Sequence, residues 1–369
     1  MRRLATVILC ASLFWAGSVL TARAGAQGPQ APSATRTPVP STDAQRALLR
    51  TEVQLVDQGK LDEAIALAQE VLAENPDNVD ALYELAGAYA RKKDHAKSLE
   101  IATKGAEYKG EQLATFYILI GSAYDEMGDP QKALAAYRQG IEIKPFALLY
   151  FNMGITLNRL NNPGEAREAF KKAAALNPNH VSTQFELGRA FSIGGYPTPA
   201  LFALSRFLIL EPTSPRAASA YSAWRQVLNG GVTPQGNGRG LSVPVNPAPK
   251  MDEGDFKQFD LFISMSKATE TIAAQKSGKT EVQALAEQVE QLFSMIDKTQ
   301  GNDASGFVWK YYGPYFSEMR SRSFVEPFVY FVSQRTTMPG VREWPADPAN
   351  RARAQEFLRW SASYSWPKP

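Results

Sequence analysis

Residues 114–145 read ATFYILIGSAYDEMGDPQKALAAYRQGIEIKP. Two stretches with apolar residues at helical spacing flank Met127-Gly128-Asp129-Pro130, whose turn chemistry stops one helix and starts another. Gly121 and Ala133 are small residues placed for close approach of the two helices, and Tyr124 fills the space beside them. Pro145 ends the second helix, because it lacks an amide and clashes with the preceding turn. The stretch therefore predicts a helical hairpin.

The landmarks recur on both sides. Units start at Gln45, Val79, Ala114, Ala147 and Val181, spaced 34, 35, 33 and 34 residues apart. The eighth position is Ala86, Gly121, Gly154 and Gly188 in the last four units, and the twentieth is Ala64, Ser98, Ala133, Ala166 and Ala200. The thirty-second is Pro76, Pro145, Pro178 and Pro212, with Gly110 in the second unit. A hairpin of this size cannot bury its apolar face alone, so tandem copies stack into a superhelix. The first unit departs, with Glu52 at the eighth position and Ala68 at the twenty-fourth, as expected of an atypical end unit. After the fifth unit, Ala217, Ala220, Tyr221, Trp224 and Leu228 fall on one face of an added closing helix.

Ile120-Gly121-x-x-Tyr124, Ala133-x-x-x-Tyr137 and Pro145, with Gly154, Ala166, Phe170 and Pro178 in the next unit, resemble the tetratricopeptide repeat family. The resemblance covers residues 45–229. It implies an all-α superhelix of about five hairpins plus a capping helix, acting as a scaffold that binds a protein or peptide in a concave groove lined by the first helix of each unit. Carried over by position, the groove residues are Tyr83, Ile118, Phe151 and Phe185 at the fifth position, with Leu49 in the first unit. Ser122 and Arg189 stand at the ninth, Asp125 and Asn158 at the twelfth. Such a strip suits a segment with hydrophobic anchors, although a stripe at helical spacing is also what packing between units produces. The Lys/Asn clamp that some members use for a terminal carboxylate is not visible at matching positions.

The whole chain has 369 residues and a formal charge of +3, which invites a search for phosphate partners. Residues 1–26 dissolve that suggestion. Arg2, Arg3 and Arg23 surround an apolar run from Leu4 to Leu20, and Ala22-Arg23-Ala24 and Ala24-Gly25-Ala26 supply small-x-small endings. This order predicts an export signal cleaved after Ala24 or Ala26, the other reading being an uncleaved anchor. Cleavage leaves 37 bases against 37 acids and no cysteine, since Cys10 departs with the signal. The expected product is a periplasmic or secreted protein, stable without disulfides, with no membrane span and no field for nucleic acid. The remaining charge asymmetry is internal: ten acids against three bases from Asp43 to Glu84, nine bases against four acids from Lys144 to Arg225. Opposite ends of this kind can orient a partner, or can be solvated faces of no consequence.

The chain thus divides into a signal peptide (1–26), a flexible lead-in (27–42), the array (45–229), a Gly/Pro-rich linker (230–250) and a small, mostly helical, aromatic-rich domain (251–369). In that domain Phe256, Phe259, Ile263 and Ala268 predict one helix; Thr280-x-x-Gln283 opens a second, and Asp347-Pro348 a last. Ten aromatics crowd residues 307–331, among them Trp309, Tyr312, Tyr315 and Phe316. They read as an aromatic patch for a sugar or peptide, as a surface docking on the array, or as a tightly packed core. The first of these underlies an alternative function, a carbohydrate- or peptidoglycan-binding or -processing protein.

No enzyme is expected. The mature chain has no thiol, and His95 and His180 fall at an intra-unit turn and an inter-unit loop, so no triad, metal site or cofactor site is evident. Glu318, Glu326, Glu343 and Asp347 are the carboxylates from which a glycosidase pair would have to be drawn.

Overall fold

The computed structural model describes residues 34–230, 233–234, 241–242, 253–265, 278–299 and 305–367. The proposed signal peptide, residues 27–33, most of the Gly/Pro-rich linker and Ala268 lie outside the described residues. The fold is all-α. Five hairpins follow in order: α1 (Asp43–Asp57) with α2 (Leu61–Glu74), α3 (Val79–Arg91) with α4 (His95–Gly105), and α5 (Leu113–Glu126) with α6 (Pro130–Ile143). Then come α7 (Ala147–Arg159) with α8 (Pro163–Leu176), and α9 (Val181–Gly194) with α10 (Pro197–Leu210). The closing helix α11 (Pro215–Leu228) follows.

Each hairpin turns at the same place. The fifteenth residue of every unit is left-handed: Gly59, Lys93, Gly128, Asn161 and Gly195, with φ between 56° and 83°. The amide of the next residue donates back to the eleventh carbonyl at 2.8–2.9 Å, as from Asp129 to Tyr124 and from Asn162 to Leu157. This closes the first helix on a carbonyl otherwise orphaned, and Asp94, Asp129 and Asn162 then cap the second helix with their side chains.

Helix pairing within a unit rests on the eighth position. A Cβ on Gly121 would stand 2.3 Å from the Tyr137 ring, and one on Gly154 2.5 Å from the Phe170 ring. The twentieth residues are all fully buried. The first unit reverses the sizes: Glu52 is at position eight, and Ala68 replaces the ring at twenty-four. Glu52 is completely buried.

Residues 34–41, read from composition as a flexible lead-in, are pinned instead across the loops between units. Thr35 and Arg36 amides donate to the Glu107 carbonyl at 2.9 and 3.0 Å, and Lys109 N–H returns to Arg36 at 2.9 Å. Val39 N–H reaches the Asp77 carbonyl at 3.1 Å, and Arg36 pairs with Asp77 while lying over the Tyr108 ring. Prolines set the composition there, but backbone pairing sets the structure.

The carboxyl-terminal third adds α12 (residues 257–265), α13 (Glu281–Thr299), α14 (Phe307–Tyr311), α15 (Gly313–Ser321), α16 (Val325–Val332) and α17 (Pro348–Ser363). Thr280 and Gln283 form the capping box the sequence predicts, and Asp347 caps α17. These helices share one continuous core with the last two hairpins and α11. Consequently α10 is buried on every side from Thr198 to Ile209. A helix buried all round must be apolar all round, and Ala-Leu-Phe-Ala-Leu-Ser-Arg-Phe-Leu-Ile-Leu (200–210) nearly is. Its exception, Arg206, is 1% exposed and meets neutral partners: Ser361 Oγ at 2.8 Å, Asn179 Oδ1, and the rings of Tyr315 and Trp366.

The close approach at position eight yields a direct test. Gly121→Ala should lower stability by about 1–3 kcal/mol, because the Tyr137 ring must leave its rotamer. Gly164→Ala, in the exposed first turn of α8 with nothing within 4 Å, should be neutral or stabilising by up to about 1 kcal/mol. Denaturant melts of the two variants check both.

Candidate functional site

The fifth, ninth and twelfth positions lie on the first helix of each hairpin, and α1, α3, α5 and α7 contact one another in succession. Tyr83 is half-buried, edge-on to Phe116 at 5.9 Å. Phe151 is half-buried between Phe170 and the His180 ring, with centroids 5.9 and 4.9 Å away. Phe185 is half-buried against Phe207, and the guanidinium groups of Arg189 and Arg216 lie 5.8 and 5.5 Å from its centroid. Ser122 accepts from Asn152 at 3.2 Å, and Asp125 pairs with Arg159 at 2.8 Å. Asn158 and Arg189 are exposed, the latter paired with Glu186 at 2.9 Å.

Two fifth-position residues leave this surface. Ile118 is 8% and Leu49 7% exposed, so both are packing between helices. Sequence reasoning passed over Val53, Leu148 and Ile193, which are 41%, 40% and 75% exposed. They occupy the ninth, second and thirteenth positions of their units, and large apolar side chains at first-helix positions outside the hairpin stripe were the available signal. All contacts described for Tyr83, Ser122, Asp125, Phe151, Phe185 and Arg189 are made to array residues.

The carboxyl-terminal third contacts chiefly the second helices and α11. Tyr311 Oη donates to the Ala174 carbonyl of α8 at 2.7 Å, and Tyr312 Oη donates to Gln184. Phe202 of α10 stacks on Phe316 at 4.9 Å, and Trp224 of α11 meets Phe328 edge-on at 6.0 Å. Glu253, 1% exposed, pairs with Arg167 at 2.7 Å and Lys171 at 3.0 Å. The aromatic patch is therefore corrected to core: Trp309, Tyr312, Tyr315 and Phe316 are 0–2% exposed, and burial holds the Tyr312 hydroxyl well above its ordinary range and raises that of Tyr315. Ten rings in 25 residues fit because they meet several partners: α10 and α11 of the array, and rings of the same third such as Phe256, Trp344, Trp360 and Trp366.

Three of the four candidate carboxylates of that third are engaged, and Glu343 is exposed. Glu318 accepts from Trp360 at 2.8 Å and Arg322 at 2.7 Å, and Glu326 from Arg353 at 2.7 Å. Asp347 caps a helix. Among the described residues no three His, Cys, Asp or Glu side chains gather closely enough to hold a metal ion, and no helix is long and apolar enough to cross a membrane.

Ion pairs occur at both ends of the array: early, Asp43 with Arg46, Asp62 with Lys92 and Asp77 with Arg36. Several late bases are also answered: Arg167 and Lys171 by Glu253, Arg225 by Glu281, Arg189 by Glu186, and Arg216 by Glu211. At the other end both oxygens of buried Glu52 lack a hydrogen-bond partner. Burial, then the nearby Glu84, pushes its carboxyl up to about 7, with Arg91 opposing. Burial and Asp80 raise Glu84 as well.

Comparison with known proteins matches the tetratricopeptide repeat family at residues 54–110, 114–146 and 147–180. The chain contains a tetratricopeptide-repeat segment there. A BBSome complex member, bbs-4, of Caenorhabditis elegans is 26% identical over 163 residues, 44% of this chain and 35% of that protein. The general transcriptional corepressor trfA of Dictyostelium discoideum is 30% identical over 122 residues, 30% of this chain and 8% of that protein. The chain thus spans about a third of one curated relative and under a tenth of the other. A thermophilic TPR protein of Thermus thermophilus, of known structure, is 23% identical with a TM-score of 0.43, covering 48% of this chain and 98% of its own.

The Glu52 environment sets a pH dependence. Its folded carboxyl titrates near 7 and its unfolded one near 4.5, so the fold favours the protonated form. Below pH 4.5 no penalty exists. As pH rises the unfolded state ionises first, and stability falls until the folded group ionises near 7. Relative to Glu52→Gln, the wild type should lose about 2–3 kcal/mol between pH 4.5 and 7.5, read from urea melts across that range.

Proposed function

We propose that this chain is an exported interaction scaffold that binds a protein or peptide segment on the first-helix face of its repeat array. Tetratricopeptide-repeat proteins generally bind protein or peptide partners, and the relative named as a BBSome complex member carries its assembly in its name. One observation carries the reading: the carboxyl-terminal third packs its aromatic surface on α8, α10, α11 and buried Gln184 of α9, while half-buried Tyr83, Phe151 and Phe185 with exposed Asn158 and Arg189 remain along the first helices. Half-buried rings beside polar groups are what a partner's hydrophobic anchors need. Export is supported by the order of basic, apolar and small residues in 1–26.

The carbohydrate alternative needs an open ring platform, and Trp309, Tyr312, Tyr315 and Phe316 have no exposed face to offer. Scaffolding is the better-supported function.

Site-specific photo-crosslinkers test the face without removing packing residues. In cells, probes at Asn158 and Arg189 should capture the same partner, whereas probes at exposed Arg138 and Lys172 of the second helices should not. Amino-terminal sequencing of this chain recovered from the same cells should begin at Gly25 or Gln27. Capture through Arg138 and Lys172 alone would contradict the assignment, and an uncleaved terminus would contradict signal removal.

A further inference from the structure

Ion pairs occur at both ends of the array. Several late cations are held by carboxylates, two of which, Glu253 and Glu281, come from the carboxyl-terminal third. In the first two units Asp43, Asp62 and Asp77 are paired with bases, but Glu52 and Glu84 on the first helices have no ion pair among the described residues. Glu52 is wholly buried with both oxygens unpartnered, and Glu84, half-buried on the next first helix, has Asp80 as its charged neighbour. Asp80 is met by the neutral donors Ser41 and Gln112.

We propose that the first-helix face of units one and two takes a cationic segment of a partner protein, with Glu84 at the contact, Tyr83 beside the apolar stem of its lysine or arginine, and Glu52 beneath as a carboxyl that ionises as the cation arrives. This rests on the first-helix reading above and specifies its partner chemistry. A buried carboxylate in low dielectric projects its field where an exposed one is screened, and an incoming cation recovers what desolvation took from it. The stem of a long basic side chain covers apolar surface while its head stays at the charge, which suits a face where Val53 is exposed beside half-buried Tyr83. Among the described residues Arg91 acts on Glu52 only at a distance, without a hydrogen bond to either oxygen, and Arg36 is committed to Asp77.

The arrangement couples binding to protons. The charged groups facing Glu52 are Glu84 and Arg91 of α3, and across the hairpin α2 presents buried Ala64 and Ala68. A bound cation favours the ionised form of Glu52, so binding releases a proton wherever the free protein holds one. Affinity for a basic segment therefore rises with pH through the neutral range.

The test uses the full exported chain and two fluorescein-labelled ten-residue peptides, one alternating Leu with Lys and one alternating Leu with Glu, followed by anisotropy from pH 6 to 8. The Leu/Lys peptide should bind at least tenfold more tightly than the Leu/Glu peptide, and several-fold more tightly at pH 8 than at pH 6. Glu84→Gln should weaken it about tenfold. Glu52→Gln should remove the pH dependence, and Glu63→Gln, on the exposed side of α2, should change nothing. Equal affinity for both peptides, or equal losses from Glu63→Gln and Glu84→Gln, would overturn the cationic preference. If both peptides bind equally and Tyr83→Ser weakens both, the first-helix face stands and the charge inference alone fails. If neither binds, both fall.

Discussion

Two helices can lie closer than their side chains ordinarily permit only where one gives up its side chain to the other. In this protein the exchange is between the eighth and twenty-fourth residues of the last three hairpins, glycine against a ring at Gly121–Tyr137 and Gly154–Phe170 and against Leu204 at Gly188. The left-handed fifteenth residue between them fixes where the chain turns back. Because that geometry is the same in every unit, successive first helices line up and one face of the array repeats. The first unit keeps the volume balance with Glu52 over Ala68, and thereby places a carboxyl where the other units have hydrocarbon. A sterically conservative swap has electrostatic consequences.

At the far end the constraint is a different one. The last hairpin has no sixth unit to cover it, and α11 alone does not cover α10. Phe202 and Trp224 left in water would each forfeit roughly 2–3 kcal/mol of burial. The carboxyl-terminal third supplies the missing surface with Phe293, Tyr312, Phe316 and Phe328, and ties it down by Glu253 on Arg167 and Lys171. This third is thus part of the same core as the hairpins it closes. The price is Arg206, a buried cation held by dipoles and ring faces, whose Nε has no acceptor. The carboxyl-terminal third thus covers α8 and α10, and the contacts of Tyr83, Phe151 and Phe185 described above stay within the array.

The repeat was legible because its signals are local. Turn residues, small residues at fixed spacing and a proline after each second helix report on one hairpin at a time, and all five hairpins follow the predicted starts. Long-range pairing was not legible. Residues 34–41 look like linker because prolines and small polar residues compose them, yet they are held by backbone bonds to loops some 40 and 70 residues further on. The aromatic run was ambiguous for a related reason: composition reveals that rings are numerous, and only the partner helix decides whether they are open. The one sequence signal of that partner was the unbroken apolar stretch of α10, too apolar for a helix with a solvent side. Of the site, Tyr83, Phe151, Phe185, Asn158 and Arg189 follow from repeat position, whereas Ile118 was lost to packing that position alone does not report.

Native-state amide hydrogen exchange on the full chain tests most directly whether the closing third and the last hairpins are one cooperative core. Exchange of α10, α13 and α15 at one common free energy, the highest in the molecule and above that of α1 and α2, is the predicted result. Exchange of α13 and α15 at a lower free energy than α10, with α10 unaffected by their opening, would contradict it.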